Sequence, residues 1–160
     1  MRESRTDLLR FTLSTMPTFN PADFHKRYYG VLTKFAHKEI KKLMVFMPPQ
    51  HGKSEGSTRR LPSFILGERP DTRVAIVSYN APKARKFNRE IQRIIDTPEY
   101  QEIFPGTCLN SSNVTTVAGS WLRNADECEI VGHLGGFKTV GVGGALTGEP
   151  VDVLIMDDIY

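Results

Sequence analysis

The chain has 160 residues, a formal net charge of +3, 39% hydrophobic residues and 24% charged residues. This length suits one domain with a hydrophobic core, and the composition is ordinary for a soluble globular protein. The mild net charge does not by itself indicate a nucleic-acid-binding protein. No apolar run approaches the ~18 residues of a membrane helix, and the N-terminus lacks a secretory signal, so we expect an intracellular protein. Cys108 and Cys128, even with His133, lack the close cysteine pair of a metal site, and we interpret both as buried or half-buried thiols.

The first predicted element is an amphipathic helix that begins near residue 21. Residues 1–20 are set apart as an N-terminal segment, for which flexibility is one interpretation. Asn20 is predicted to cap the helix, with Pro21 at its first position. An apolar stripe follows at helical spacing and is expected to face the core: Phe24, Tyr28, Val31, Leu32 and Phe35. His25 lies just off this stripe, where a ligand contact and a solvated surface position are both open interpretations.

The next stretch combines a short apolar run with a loop that ends in Gly-Lys-Ser. Leu43–Met47 is predicted to be a buried strand, and Ser54–Leu66 to be a helix with a kink or break before Pro62. A strand, loop and helix in this order hold nucleoside triphosphates, because the loop N–H groups and the helix N-terminus favour phosphate. Lys53 would contact the β- and γ-phosphates, and the Ser54 hydroxyl would bind Mg²⁺.

A second strand and helix follow. Thr72–Tyr79 is predicted to be a buried strand, and Asn80 is predicted to cap the next helix, with Pro82 in its first turn. The apolar side of that helix is formed by Phe87, Ile91, Ile94 and Ile95. Its other faces carry the cations Lys83, Arg85, Lys86, Arg89 and Arg93. Such a helix can follow a phosphate backbone, although a solvated basic face is the commoner outcome.

Beyond this helix the chain becomes β-like and rich in glycine. Thr97 and Pro98 are predicted to begin a short helix that Phe104-Pro105-Gly106 ends. Short strands are predicted at Val114–Val117, Trp121–Asn124, Glu127–Val131 and Lys138–Val142. The glycines between Gly141 and Gly148 indicate a loop with a conformational role.

The last apolar run, Val151–Asp158, is predicted to be a strand that ends in two carboxylates. A Mg²⁺-dependent NTPase needs carboxylates opposite its phosphate loop, one to order the Mg²⁺ shell and one to polarise the attacking water. Adjacent side chains point to opposite faces of a strand, so Asp157 and Asp158 have different roles. We assign Asp157 to the metal shell and Asp158 to the water. Together with the Gly-Lys-Ser loop, this strand predicts an α/β P-loop NTPase with a mostly parallel sheet flanked by helices.

The combination of these segments resembles a known family, the large terminase subunit of tailed bacteriophages, in its N-terminal ATPase half. The matching segments are Leu43–Glu55 (LMVFMPPQHGKSE), Val74–Asn80 (VAIVSYN) with the helix after it, Gly141–Gly148 (GVGGALTG) and Val151–Asp158 (VDVLIMDD). The resemblance runs from about Phe24 to Tyr160. It implies a RecA-like (ASCE) P-loop ATPase domain over residues 21–160, truncated after its Walker B strand.

Large terminases are ATP-driven motors that thread double-stranded viral DNA into a procapsid. The resemblance therefore implies ATP and Mg²⁺ as cofactors, and viral DNA, a portal protein, a small terminase subunit and further copies in a ring as partners. It implies action in the cytoplasm of the bacterial host, without a membrane. By position, the ATP-binding residues are Gln50, His51, Gly52, Lys53, Ser54 and Glu55. Lys53 and Asp158 would be catalytic, and Ser54 and Asp157 would bind the metal.

The chain departs from the family pattern inside both motifs. Met47 stands where the phosphate-loop pattern begins with glycine, and Pro49 stands where several members have arginine. Asp158 is shorter than the glutamate of many related motors. The arginine that completes the site is left open among Arg59, Arg60, Arg73 and Arg123.

Two alternatives to the terminase interpretation remain at the level of the sequence. One is a helicase-like P-loop DNA translocase, and the other is an inactive, truncated prophage remnant. The sequence ends two residues after Asp158. We expect a coupling motif and a C-terminal nuclease domain to lie outside these residues, so no nuclease activity is expected from them.

Overall fold

A computed structural model describes residues 1–115, 120–146 and 148–159. Its helical elements are, in chain order, a 3₁₀ turn (Glu3–Arg5), α1 (Leu8–Thr15), α2 (Asp23–Ala36), a π-helix (Glu55–Arg60), α3 (Leu61–Glu68), α4 (Ala81–Asp96) and α5 (Pro98–Ile103). Its strands are β1 (Arg73–Ser78), β2 (Glu127–Glu129), β3 (Gly136–Gly141) and β4 (Val153–Asp157). The chain is therefore of the α/β class, as predicted.

These strands form one mixed sheet in the order β2-β3-β1-β4. β1 lies parallel to both β3 and β4, and β2 lies antiparallel to β3. The register aligns Ser78, at the end of β1, with Gly141 on one side and Asp157 on the other. The carboxyl ends of three strands therefore meet at one edge of the sheet, which is where open α/β sheets bind ligands.

The helices pack against one face of this sheet. One hydrophobic core contains the buried side chains of the helices together with side chains of the sheet, among them Val74 and Ile76 of β1, Phe137 of β3 and Ile155 of β4. Residues on the same face of a strand alternate with residues on the other face. On that other face of β4, Leu154 and Met156 are 48% and 62% exposed.

The N-terminal segment contributes to this core. Asp7 caps α1 by accepting a hydrogen bond from the Arg10 backbone N–H, and both Leu8 and Phe11 are fully buried. Phe11 lies within an aromatic cluster formed with Phe64, Tyr100 and Phe104. The domain boundary after residue 20 stays a prediction, but side chains from both sides of it share one core.

The start of α2 differs from the predicted start, and its buried face matches the predicted face only in part. The helix begins at Asp23 with Ala22 as its N-cap residue, because the His25 side chain, and not Asn20, satisfies a free N–H there (Ala22 N to His25 Nδ1, 3.0 Å). Phe24 and Val31 are 39% and 36% exposed. Tyr28 and Leu32 of the predicted stripe are buried as expected, and Phe35 packs against the core. Tyr29 and Ala36 complete the buried face.

The predicted strand at Leu43–Met47 is wrong, although the side chains alternate as they would in a strand. Met44 and Phe46 are 79% and 84% exposed, whereas Leu43, Val45 and Met47 pack against the core. A strand needs a hydrogen-bonded neighbour, and the nearest free strand edge belongs to β4. Leu43 and Val45 instead line one side of a groove of about 570 Å³ whose other side is β4.

The predicted break before Pro62 is replaced by a change of helical geometry. The chain is helical from Lys53 to Glu68 without interruption. Across the π-helix the hydrogen bonds span five residues, as in the Leu61 N–H to Gly56 carbonyl bond. Pro62 then lies in the first turn of α3, directly after the π-helix, and as a proline it donates no backbone hydrogen bond to the preceding turn.

Several local predictions are confirmed. The strands near Thr72–Tyr79 and Val151–Asp158 form β1 and β4. The Asn80 side chain caps α4 and the Thr97 side chain caps α5. The apolar side of α4 is buried as expected: Phe87, Ile91, Ile94 and Ile95.

The glycine-rich part forms fewer strands than predicted. The segments near Glu127–Val131 and Lys138–Val142 form β2 and β3. Trp121–Asn124 is not a strand, because it contributes only single bridges from Arg123 to Val114 and Cys128. The predicted strand at Val114–Val117 lies partly outside the described residues.

The two cysteines are free thiols, as predicted, with Cys128 buried and Cys108 half-buried. Burial raises the pKa of the Cys128 thiol to about 12, so this thiol stays protonated at neutral pH.

Within the described ranges, none of the helices combines the length and apolar character that crossing a membrane requires.

Candidate functional site

The phosphate-loop motif and the paired carboxylates lie in direct contact. The Ser54 hydroxyl donates a hydrogen bond to Asp157 Oδ2 (2.9 Å). The Lys53 ammonium donates to Asp158 Oδ1, also at 2.9 Å. These pairs join residues that are 103 and 105 positions apart in the chain. The two motifs that the sequence analysis combined are therefore brought together at the carboxyl edge of the sheet, while the roles assigned to them stay predictions.

The contacts surround an open pocket of about 450 Å³. Gln50, Gly52, Lys53, Ser54 and Asp158 all line it. Asp157 lies beneath, only 3% exposed, and it reaches the pocket through Ser54. The pocket therefore combines a half-buried cation, a hydroxyl and carboxylates at different depths.

The backbone of this site is unusual at two residues that are not glycine. Gln50 has φ +62° and Asp158 has φ +46°, both in the left-handed region that such residues seldom adopt. Gly52 has φ +82°. Left-handed residues cluster at functional sites, where the surrounding structure compensates for their strain. Here they turn the loop and the end of β4 toward the same pocket.

Two side chains of α2 hold the Gly-Lys-Ser loop in place. His25 Nδ1 accepts the Ala22 N–H, so Nε2 carries the proton and donates to the His51 carbonyl (3.0 Å). The Tyr28 hydroxyl donates to the Lys53 carbonyl at 2.7 Å, and burial raises its pKa to about 12. His25 is thus a loop-positioning residue. The sequence analysis considered only ligand contact or solvent exposure for it.

The two helical segments approach each other closely at Gly56. A side-chain carbon at this position would lie 2.8 Å from the Tyr28 ring and 3.2 Å from Leu32. Glycine therefore lets the helix that follows the Gly-Lys-Ser loop pack directly on α2. This packing places Lys53 and Ser54 relative to His25 and Tyr28.

Two of the predicted ATP-binding residues have side chains engaged elsewhere. Glu55 accepts hydrogen bonds from Arg59 Nη1 (3.3 Å) and Arg60 Nε (2.8 Å). The His51 ring bonds the Pro49 carbonyl within its own turn (2.8 Å). Any contact of these residues with a phosphate in this arrangement would come from their backbone N–H groups.

The four arginines that the sequence left open differ in their surroundings. Arg59 lines the pocket, and it bonds Glu90 and lies over the Phe87 ring. The other three do not line the pocket and form ion pairs: Arg60 with Glu55, which does line it, Arg73 with Asp152 and Arg123 with Asp96. Arg59 is therefore the one of the four that is placed at the pocket.

Two further residues at this site were not predicted from the sequence. Lys83, in the first turn of α4, lies with its ammonium 3.4 Å from Asp158 Oδ2. The pKa of the Asp158 carboxyl is lowered, chiefly by the hydrogen bond from Lys53 and further by the charge of Lys83. The position of Lys83 could have been predicted from the Asn80 cap. A helix cap at the end of β1 places Lys83, in the first turn of that helix, beside the carboxyl edge of the sheet.

Ser78 is the second missed residue. It is fully buried, and its hydroxyl has no hydrogen-bond partner among the described residues. It pairs in register with Asp157 across the parallel strands, so both side chains lie on the helix-covered face of the sheet. A buried hydroxyl without a partner is uncommon and indicates a place for water or an ion.

The donor atoms at Ser54 and Asp157 fit Mg²⁺, which prefers hydroxyl and carboxylate oxygens and keeps several waters and phosphate oxygens in its shell. The described residues contain no group of three or more His, Cys, Asp and Glu side chains that could hold a metal by themselves. Any Mg²⁺ held here would therefore need oxygens from a nucleotide and from water.

Comparison with family models, curated proteins and solved structures gives no match for this chain. Its function is therefore argued from the residues and geometry of the site.

Proposed function

We propose that this chain is a Mg²⁺-dependent ATP-binding and ATP-hydrolysing domain, the motor domain of a DNA-packaging terminase large subunit. The observation that carries the proposal is the paired contact of Lys53 with Asp158 and of Ser54 with Asp157. The Gly-Lys-Ser loop and the Asp-Asp strand end are separate sequence signals. Their meeting at the carboxyl edge of a largely parallel sheet supports a P-loop site.

Each residue has a defined part in ATP binding under this proposal. The loop N–H groups and the Lys53 ammonium bind the phosphates, and the Ser54 and Asp157 oxygens hold Mg²⁺. The metal, when bound, neutralises charge that develops on the phosphate oxygens. Asp158 orients the attacking water. Asp158 is bonded to Lys53, so an exchange of this carboxylate for a phosphate oxygen by Lys53 would free Asp158 Oδ1 for the attacking water.

The magnesium assignment is tested with Asp157→Asn, which keeps the size of the side chain and removes its charge. We expect ATP binding to the wild-type chain to be strengthened by Mg²⁺ and weakened by EDTA. In the variant, Mg²⁺ affinity should fall by at least the roughly 10- to 100-fold typical of a lost partner around a metal. Calorimetric titration of ATP with and without Mg²⁺ measures both.

Asp152→Asn is the matched control, because Asp152 lies at the opposite end of β4 and pairs with Arg73. It should retain the Mg²⁺ dependence of the wild type. A folded wild-type chain that binds no Mg-ATP would refute the proposed function. An Asp157→Asn variant with unaltered Mg²⁺ dependence would refute the metal assignment.

The proposal of DNA as a partner rests on the exposed side of α4. Lys86, Arg89 and Arg93 are all exposed, and their spacing of three and four residues places them on one face of the helix. Within the described part of the chain none of the three forms an ion pair, whereas Arg85 pairs with Asp126. A stripe of free cations fits the regularly spaced phosphates of a duplex.

We expect the triple variant Lys86→Ala, Arg89→Ala, Arg93→Ala to bind duplex DNA more weakly than wild type. The slope of log K against log salt concentration, where K is the association constant for DNA, should be shallower by roughly 3. Fluorescence anisotropy at several salt concentrations measures this slope. The charge-matched control replaces Lys34, Lys41 and Lys42, which are also exposed. Equal slopes for the two triple variants would contradict DNA binding by α4.

The ring, the portal protein, the small subunit and the host cytoplasm are proposed from the resemblance alone.

A further inference from the structure

The carboxylate of Asp158 is held between two lysines from different parts of the chain. Lys53 approaches one oxygen at 2.9 Å, and Lys83 approaches the other at 3.4 Å. The side chain of Asp158 is 52% exposed, so this arrangement lies at the surface of the pocket, where a ligand can reach it. Two ammonium groups facing one anion leave an excess of positive charge at this point.

Lys83 is placed there by the backbone. Its N–H donates to the Asn80 side chain at 2.9 Å, which fixes the first turn of α4 directly after β1. Gly141 packs against the same turn, because a side-chain carbon at this position would lie 2.4 Å from the Ala81 nitrogen. The position of the Lys83 backbone therefore follows from a helix cap and from a close contact with β3.

Lys53 and Arg59 are the cations of the pocket lining, and Lys83 lies beside that lining, against Asp158. The charge of Arg59 is already neutralised. Arg59 bonds both Glu55 and Glu90, so its charge is shared with two carboxylates. Lys53 and Lys83 share only Asp158 among the described residues. A phosphate group presents several anionic oxygens, and it carries more charge than one carboxylate, so it can replace Asp158 between the two ammonium groups.

We propose that Lys83 is a second ammonium ligand of the terminal phosphate of a bound nucleoside triphosphate, in addition to Lys53. The inference rests on the proposed function and names a residue that the phosphate-loop pattern does not include. Lys83 contacts the terminal phosphate because it approaches from the Asp158 side of the pocket, away from the loop that holds the inner phosphates. It therefore discriminates a triphosphate from a diphosphate.

The test compares Mg-ATP and Mg-ADP binding to the whole chain by calorimetry. In Lys83→Met, ATP affinity should fall about tenfold, as for one charge-assisted hydrogen bond at a partly exposed site, while ADP affinity changes less than twofold. Lys83→Arg should recover part of the ATP affinity. Lys138→Met is the matched control, since Lys138 is also ion-paired, with Glu149 at 2.8 Å, and it should change neither affinity.

The possible outcomes separate this inference from the proposed function. If wild type binds Mg-ATP and Lys53→Ala does not, but Lys83→Met binds ATP like wild type, only the role of Lys83 is overturned. Equal losses for ATP and ADP also overturn it. A wild-type chain without nucleotide binding overturns both.

Discussion

Lys53→Ala is expected to reduce Mg-ATP affinity by roughly 100-fold or more. The Lys53 ammonium faces the pocket beside Asp158, and under the proposed function it makes charge-assisted hydrogen bonds to two phosphate groups. Each such bond contributes about 1.5–3 kcal/mol, and 1.4 kcal/mol corresponds to a factor of ten in affinity. Calorimetric titration of Mg-ATP into wild type and variant measures the difference.

The substitution leaves the loop itself supported. The Lys53 carbonyl, which alanine retains, accepts hydrogen bonds from Tyr28 (2.7 Å) and from the Ser57 hydroxyl (2.9 Å). We therefore expect the circular dichroism spectrum and the melting temperature of the variant to stay close to those of wild type. Lys138→Ala controls for the loss of an ion-paired lysine elsewhere. Wild-type affinity in a folded Lys53→Ala chain would contradict the assignment of this loop to phosphate.

Phe11→Ala is expected to lower the free energy of unfolding by about 3–5 kcal/mol, as for other phenylalanines removed from a core. Phe11 is fully buried, and its ring centroid lies 5.6 Å from that of Phe64, 5.8 Å from that of Tyr100 and 5.9 Å from that of Phe104. The cavity would open where α1, α3 and α5 meet. For a chain of this size the melting temperature should fall by roughly 6–20 °C.

Urea denaturation followed by circular dichroism measures this loss of stability. Phe46→Ala is the matched control, because the Phe46 side chain is 84% exposed and its removal should change stability by no more than about 0.5 kcal/mol. A loss below about 1 kcal/mol for Phe11→Ala would mean that α1 is not part of the cooperative core. In that case the N-terminal segment would behave as a separate, weakly attached element.

The sequence by itself determined the elements whose signals are local. Asn80 caps α4 as predicted, and α5 begins where it was predicted, with Thr97 as its cap, because a capping side chain bonds backbone groups only two or three residues away. The apolar runs that became β1 and β4 were recognised in the same way. The Gly-Lys-Ser loop and the Asp-Asp strand end were recognised as a pair because each carries its chemistry within a few residues.

Only the tertiary structure decided the features that depend on distant partners. Leu43–Met47 has the alternation of a strand, but pairing requires a neighbour at hydrogen-bonding distance, and the groove beside β4 separates the two segments. Asn20 matches the cap pattern, yet His25 bonds Ala22 and the helix begins later. Glu55 follows the phosphate loop in sequence, but two arginines hold its carboxylate.

The same reason explains why Lys83 and Ser78 were missed as site residues. In sequence, Lys83 is one of several cations on a basic helix, and Ser78 is a small polar residue at the end of an apolar strand. Lys83 and Ser78 belong to the site only because β4 lies beside β1. This strand order places Asp158 near Lys83 and Asp157 beside Ser78. Local hydrogen bonds and hydrophobic periodicity can be read from neighbouring residues, whereas the order of strands in the sheet is set by packing of the whole chain.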